Sequence, residues 1–236
     1  MPEWWSYSLA DFLMFSPRTW YRLLERHNEA VWPMPVFTLG LGLALMIGSR
    51  FPVRRERPIR WEGRLVPAVL AALWAWVAWT FLWRRYAIIN WAASYAAGLF
   101  ALEALLLVWL GIVRGGWSVG GDRTVRGGLG GALLVASLLV YPALAPLFGR
   151  PWRQAEVFGI APDPTVMATM GLLLLRDERP RWPLLAVPIA WCAFSGLTLL
   201  AMGSGQALAP ALAVAVVLIA STWPERRQPT SMAARA

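Results

Sequence analysis

Apolar residues run along this chain in long blocks separated by short basic links. Seven blocks stand out, at about 30–48, 65–83, 88–113, 127–148, 162–175, 184–203 and 206–223. Runs such as 65–83 are apolar on every face, which excludes the alternating pattern of a membrane β-barrel strand. The pattern predicts an all-α, polytopic transmembrane helix bundle of about seven spans. A polar tail follows at 224–236.

The segment 1–29 differs. Ser16-Pro17 reads as an N-cap followed by a first-turn proline, and predicts a helix from Pro17 to about Asn28. Trp20, Leu23, Leu24 and His27 share one side of it and charged residues occupy the rest. This amphipathic helix either lies in the membrane interface or packs over the ends of the bundle.

Within the bundle, residues 161–175 are the most distinctive. Asp163 can cap a helix, Pro164 suits its first position, and an apolar run from Thr165 stops at Arg176. Such a helix covers about 18 Å against a hydrocarbon core of about 30 Å, so it is a short span or a half-helix. The first span also opens on prolines, Trp32-Pro33-Met34-Pro35, and sets Gly40, Ala44 and Gly48 at four-residue spacing for close helix contact. Gly127 and Gly131 offer the same in span four, whose Pro142 and Pro146 should bend its later half. In span two Trp83 reads as an interface residue, and Trp76 and Trp79 as packing or pore-lining. In span three Ala92, Ala96 and Leu99 share a side with Glu103, which should face protein.

Composition agrees with this class and adds orientation. Of 236 residues, 58% are hydrophobic and 15% charged, with a net charge of +9. All 22 basic residues are arginines, mostly in the links, so the charge serves membrane orientation and not nucleic-acid binding. With seven spans, one side carries seven arginines and the other fifteen, which puts the N-terminus outside and the C-terminus in the cytoplasm. The first residues lack a basic start, so no cleaved signal peptide is expected. Cys192 is the only cysteine and His27 the only histidine, so no intramolecular disulfide, bis-histidine haem or multi-histidine metal site is expected, and no cofactor.

The order of features repeats. Spans one and five each begin at a proline pair, and the links after them read Arg54-Arg55-Glu56-Arg57-Pro58-Ile59-Arg60-Trp61 and Arg176-Asp177-Glu178-Arg179-Pro180-Arg181-Trp182. The plan is a 3+1+3 parallel repeat, with chance similarity as the alternative. Its architecture is similar to seven-helix sugar transporters made of two three-helix units, without their proline-glutamine loop motif. Short, proline-started segments at matching places in two halves point to a transport site; the competing reading is that the prolines only start two helices.

Asn28-Glu29-Ala30-Val31-Trp32-Pro33, Ile89-Asn90-Trp91-Ala92-Ala93 and Phe158-Gly159-Ile160-Ala161-Pro162-Asp163-Pro164-Thr165 together resemble an uncharacterised family of small bacterial multi-pass membrane proteins, some labelled permease-like. The resemblance covers most of residues 8–223, and its most specific piece is the Pro-x-Pro-Thr element. It implies a bacterial inner (cytoplasmic) membrane location and carries no established activity. Relatives often have cysteine in place of Asp163 and histidine in place of Leu82.

Glu103 is the leading candidate for chemistry, because a carboxyl inside a span is costly unless paired or protonated. Asp163, Asn90, Thr165 and Thr169 are the other candidates for binding a proton or a polar solute. No acid pair or nucleophile motif suggests an enzyme. Two functions remain: a small-solute permease using an intramembrane acid, or a non-catalytic accessory or scaffold subunit of a membrane complex. The expected partners are the lipid bilayer, a small polar solute, and a second copy or another membrane subunit.

Overall fold

The computed structural model describes residues 11, 13–50, 62–114, 124–176 and 182–222. Helix α1 (Pro17–Ala30) starts as expected: the Ser16 hydroxyl accepts a hydrogen bond from the Thr19 N–H at 3.2 Å, and Pro17 takes the first position. Then come α2 (Met34–Arg50), α3 (Glu62–Val77), α4 (Ala92–Leu106), α5 (Val125–Val135), α6 (Tyr141–Leu147), α7 (Pro162–Leu174), α8 (Pro183–Ala201) and α9 (Leu208–Thr222). α3 runs on as a π-helical stretch, Ala78–Trp83, and α4 as another, Leu107–Val113. A third, Ala136–Val140, joins α5 to α6 just ahead of Pro142, whose missing N–H breaks the ordinary hydrogen-bond ladder.

Among the described residues, five helical stretches are long and apolar enough to cross a membrane: Gly63–Ile88, Ala92–Val113, Val125–Leu147, Pro183–Ala201 and Gly205–Thr222. The α1–α2 pair adds a sixth if its 87° bend is counted as a broken span. The chain is therefore a helical, multi-pass membrane protein.

α7 is the axis of the bundle. All 13 of its residues are buried, enclosed by α5, α8, α9 and α3. Its contact with α5 is set by Gly130 and Gly171: a β-carbon on Gly130 would lie 2.8 Å from the Gly171 carbonyl oxygen, and one on Gly171 equally close to the Gly130 carbonyl oxygen. Close backbone approach is what small residues give a membrane helix pair. The sequence pattern pointed to Gly127 and Gly131. Both are buried, but Gly130, one position before Gly131, makes the crossing.

Other expectations are corrected. Gly40 and Gly48 on α2 face open space; Gly42 makes the close contact, where a β-carbon would collide with Leu138 and meet Phe158 at 2.9 Å. Trp76 and Trp79 point outward, 36% and 56% exposed; the buried indole of α3 is Trp74. On α4 the buried stripe is Ala93, Ala96, Ala97, Phe100, Glu103 and Ala104, while Leu99 is 45% exposed. Span three begins later than the apolar pattern suggests, because Tyr86–Ile88 form a 3-10 turn and α4 starts only at Ala92. The link 54–61 and most of 176–182, which carry the repeat, lie outside the described residues, as do the tail and residues 1–10 and 12.

α1 buries Trp20, Leu24 and His27. Its aromatic edge meets Phe81 and Tyr86, with Trp20 to Tyr86 ring centroids 4.8 Å apart. The Asn28 amide donates to the Arg153 and Ala155 carbonyls, both at 2.8 Å, so α1 is fastened across one end of the bundle.

Candidate functional site

Asp163 does not cap α7. The helix begins at Pro162 after Ala161, which makes no side-chain cap bond. Prolines at 162 and 164 remove two of the N–H groups a cap would serve, so the carboxyl is free to bond elsewhere. It takes three donors from neighbouring helices: the Tyr141 hydroxyl at 2.5 Å and the Ser195 hydroxyl at 2.7 Å on Oδ2, and the Trp191 indole N–H at 2.6 Å on Oδ1. Asp163 is 5% exposed, and this network ties α6, α7 and α8 together where α7 begins. Buried polar groups need such partners, and a carboxylate with several donors is the strong case.

The other candidates separate. The Thr165 hydroxyl donates to the Ala161 carbonyl at 2.7 Å and accepts from the Gly159 N–H at 2.8 Å. Gly159 has a left-handed backbone (φ 74°) and sits against Thr38 of α2, which sets α2 beside the approach to α7. The Thr169 hydroxyl donates to the Thr165 carbonyl at 2.8 Å and accepts from the Trp74 indole at 2.9 Å. Both threonines are thus used up in fixing α7. Asn90 sits in the turn before α4, its amide donating to the Tyr86 hydroxyl at 3.1 Å and its carbonyl accepting from the Ala92 N–H at 3.0 Å. Glu103 is fully buried in α4, and neither of its carboxyl oxygens has a hydrogen-bond partner.

Around the start of α7 lie polar groups that sequence reading passed over. Arg150, after α6, stacks its guanidinium 4.2 Å from the centre of the Tyr21 ring of α1, and its Nε, Nη1 and Nη2 are buried without a hydrogen bond. The Tyr21 hydroxyl reaches Ser204 at 3.4 Å, and the Ser204 hydroxyl accepts from the Gln206 N–H at 3.3 Å. Gln206 and Glu156 are each 3% exposed, and each has a side-chain Oε1 with no donor. Burial, then the nearby Asp163 charge, pushes the Glu156 carboxyl up to about 8, against the pull of Arg150. His27, against Phe81 with ring centroids 5.1 Å apart, likewise has two unbonded ring nitrogens. Burial, then the Arg85 charge, lowers its pKa to about 4, against the opposing pull of the Ile160 backbone, which approaches the ring outside good hydrogen-bond geometry. Little in the sequence marks these residues, although Trp191 and Ser195, four apart, had to share one helix face.

Two spaces border this region. A cleft of about 10 Å³, a single water's worth, is lined by Trp20, Tyr86, Trp191, Ser195 and Thr198 among others. On the far side of Trp191, a crevice of about 300 Å³ opens between α4 and α8. Its walls include Trp91, Tyr95, Phe100, Val187 and Phe194, and Glu103 is not among them.

No match to the chain was found among curated proteins or solved structures. A family match covers residues 18–228, nearly the whole chain and both the α1 cover and the α7 start. The chain belongs to this family, a family of unknown function (DUF6064).

Proposed function

We propose that this chain is a small-solute permease of the bacterial inner membrane, crossing it seven times with the N-terminus outside and the C-terminus in the cytoplasm. α7 is the short fifth span, and the polar site lies at its outer end. One observation carries this reading: side chains from α1, α6, α7, α8 and the links converge where α7 begins, and several are buried with hydrogen-bonding capacity unused. Such groups are costly to keep and mark a place where water or a solute completes the bonding. The cleft beside Trp191 and Ser195 is water-sized, as suits a closed state of such a site. α1 holds Trp20 over the cleft and Tyr21 over Arg150, and is the element that must lift to admit a solute. Glu103 is the intramembrane acid that exchanges a proton during transport. The contact of α2 with the approach to α7 fits a 3+1+3 parallel repeat.

The test is reconstitution of the purified chain in liposomes with a pH dye inside, challenged with a panel of small polar solutes. Solute-dependent proton movement that disappears in Glu103→Gln is expected. Vesicles with no solute uptake and no proton movement beyond empty liposomes would sink the reading.

The second reading, a non-catalytic subunit of a membrane complex, draws on the apolar crevice between α4 and α8. Its aromatic walls suit a partner helix. Isolation of the chain from mild detergent as a lone species would remove that support.

A further inference from the structure

Arg150 combines features that seldom occur together. Its guanidinium carbon lies 4.2 Å from the centre of the Tyr21 ring, and all three nitrogens are buried with nothing to bond. A guanidinium edge is shaped for a carboxylate, which it grips through two parallel hydrogen bonds. The nearby orphaned groups have the opposite polarity. Glu156 Oε1 and Gln206 Oε1 are acceptors without donors, and each belongs to a side chain more than nine-tenths buried. The backbone N–H of Gln206 is joined to Arg150 through Ser204 and Tyr21, and Glu156 lies within the electrostatic reach of Arg150. Unused donors on one side and unused acceptors on the other describe a ligand with an anionic and an N–H-bearing end.

Building on the permease reading of the same site, we propose that Arg150, Glu156 and Gln206 form the receptor for a small zwitterion of amino-acid type, its carboxylate on the guanidinium and its ammonium on the two side-chain oxygens. A bare anion leaves the two oxygens unanswered. An uncharged amide forgoes the charge-assisted bonds, which are about twice as strong as neutral ones. An ammonium beside Glu156 favours its carboxylate form, so binding at pH 7 releases a proton from that side chain to solvent. Arg150 and Asp163 are the other charged groups acting on Glu156. Affinity therefore rises with pH up to about 8, where Glu156 in the empty site is half ionised.

The experiment is titration calorimetry on the full chain in nanodiscs with four probes: glycine, alanine, acetate and urea. Either amino acid is expected to bind at least about tenfold more tightly than acetate and urea, a difference of about 1.4 kcal/mol, with heats that depend on buffer ionisation because a proton leaves. Arg150→Met and Glu156→Gln should each weaken amino-acid binding about tenfold or more. Arg150→Lys should keep part of it, which controls for folding. Acetate or urea binding as well as the amino acids, or no binding by any probe at pH 8, would overturn the proposal. Amino-acid binding without transport in vesicles would defeat the permease reading and leave the receptor standing. Uptake of some other solute by a chain that ignores amino acids would do the reverse.

Discussion

Gly130 and Gly171 meet backbone to backbone where α5 crosses α7, each leaving room for the other's carbonyl oxygen. A methyl group on either would lie 2.8 Å from that oxygen, and backbone on both sides gives it nowhere to go. Gly130→Ala or Gly171→Ala should cost about 1–3 kcal/mol. Thermal unfolding in detergent is the check. Gly128→Ala, where a β-carbon meets nothing, should leave the midpoint almost unchanged.

The Asp163 network should respond in the same assay. Asp163→Ala removes the common acceptor of the Tyr141, Trp191 and Ser195 donors and strands all three in the interior. A loss of about 3 kcal/mol or more is expected, and Ser195→Ala, which removes a single donor, should lose about 1 kcal/mol. Equal losses from the two variants would show that the carboxyl does not unite the three helices.

Acid should loosen α1 through His27. The folded-state pKa is lowered to about 4 from 6.5, so the undocked helix takes up the proton first. The docking stability is complete above about pH 6.5 and is lost as pH falls from there towards 4. Once corrected for the intrinsic exchange rate at each pH, the protection of the α1 amides should therefore fall between pH 7 and pH 5 in the native chain. In His27→Phe, which keeps an aromatic ring against Phe81, the pH dependence should vanish.

Glu103 should show stability and activity pulling apart. Its carboxyl is buried with no partner, so Glu103→Leu removes a desolvated polar group from a span and should raise the unfolding temperature. The same variant should lose proton movement in vesicles. An unfolding temperature that falls instead would mean that the carboxyl is bonded in the native membrane.

How far the sequence disclosed all this depends on which force placed each residue. Spans were legible because membrane insertion demands long apolar blocks, and Ser16-Pro17 marked the start of α1 because capping is local. Asp163 was found as a residue but misread as a cap, since its partners on α6 and α8 are 22, 28 and 32 positions away. Small-residue spacing located the right helix in α5 but not Gly130, because which glycine faces the neighbour depends on how the helices are rotated. Arg150 and Glu156 sit in a link, where charge is ordinarily solvated. Only the tertiary fold buries them.

α7 is without a lipid-facing side, and this has a bearing on biosynthesis. α5 is made before it, but α8 and α9, which close around it, emerge from the ribosome later. Until then its apolar surface waits beside the insertion machinery as an unfinished core, so a chain cut short after Leu175 should be recognised and degraded even though every helix it contains is intact.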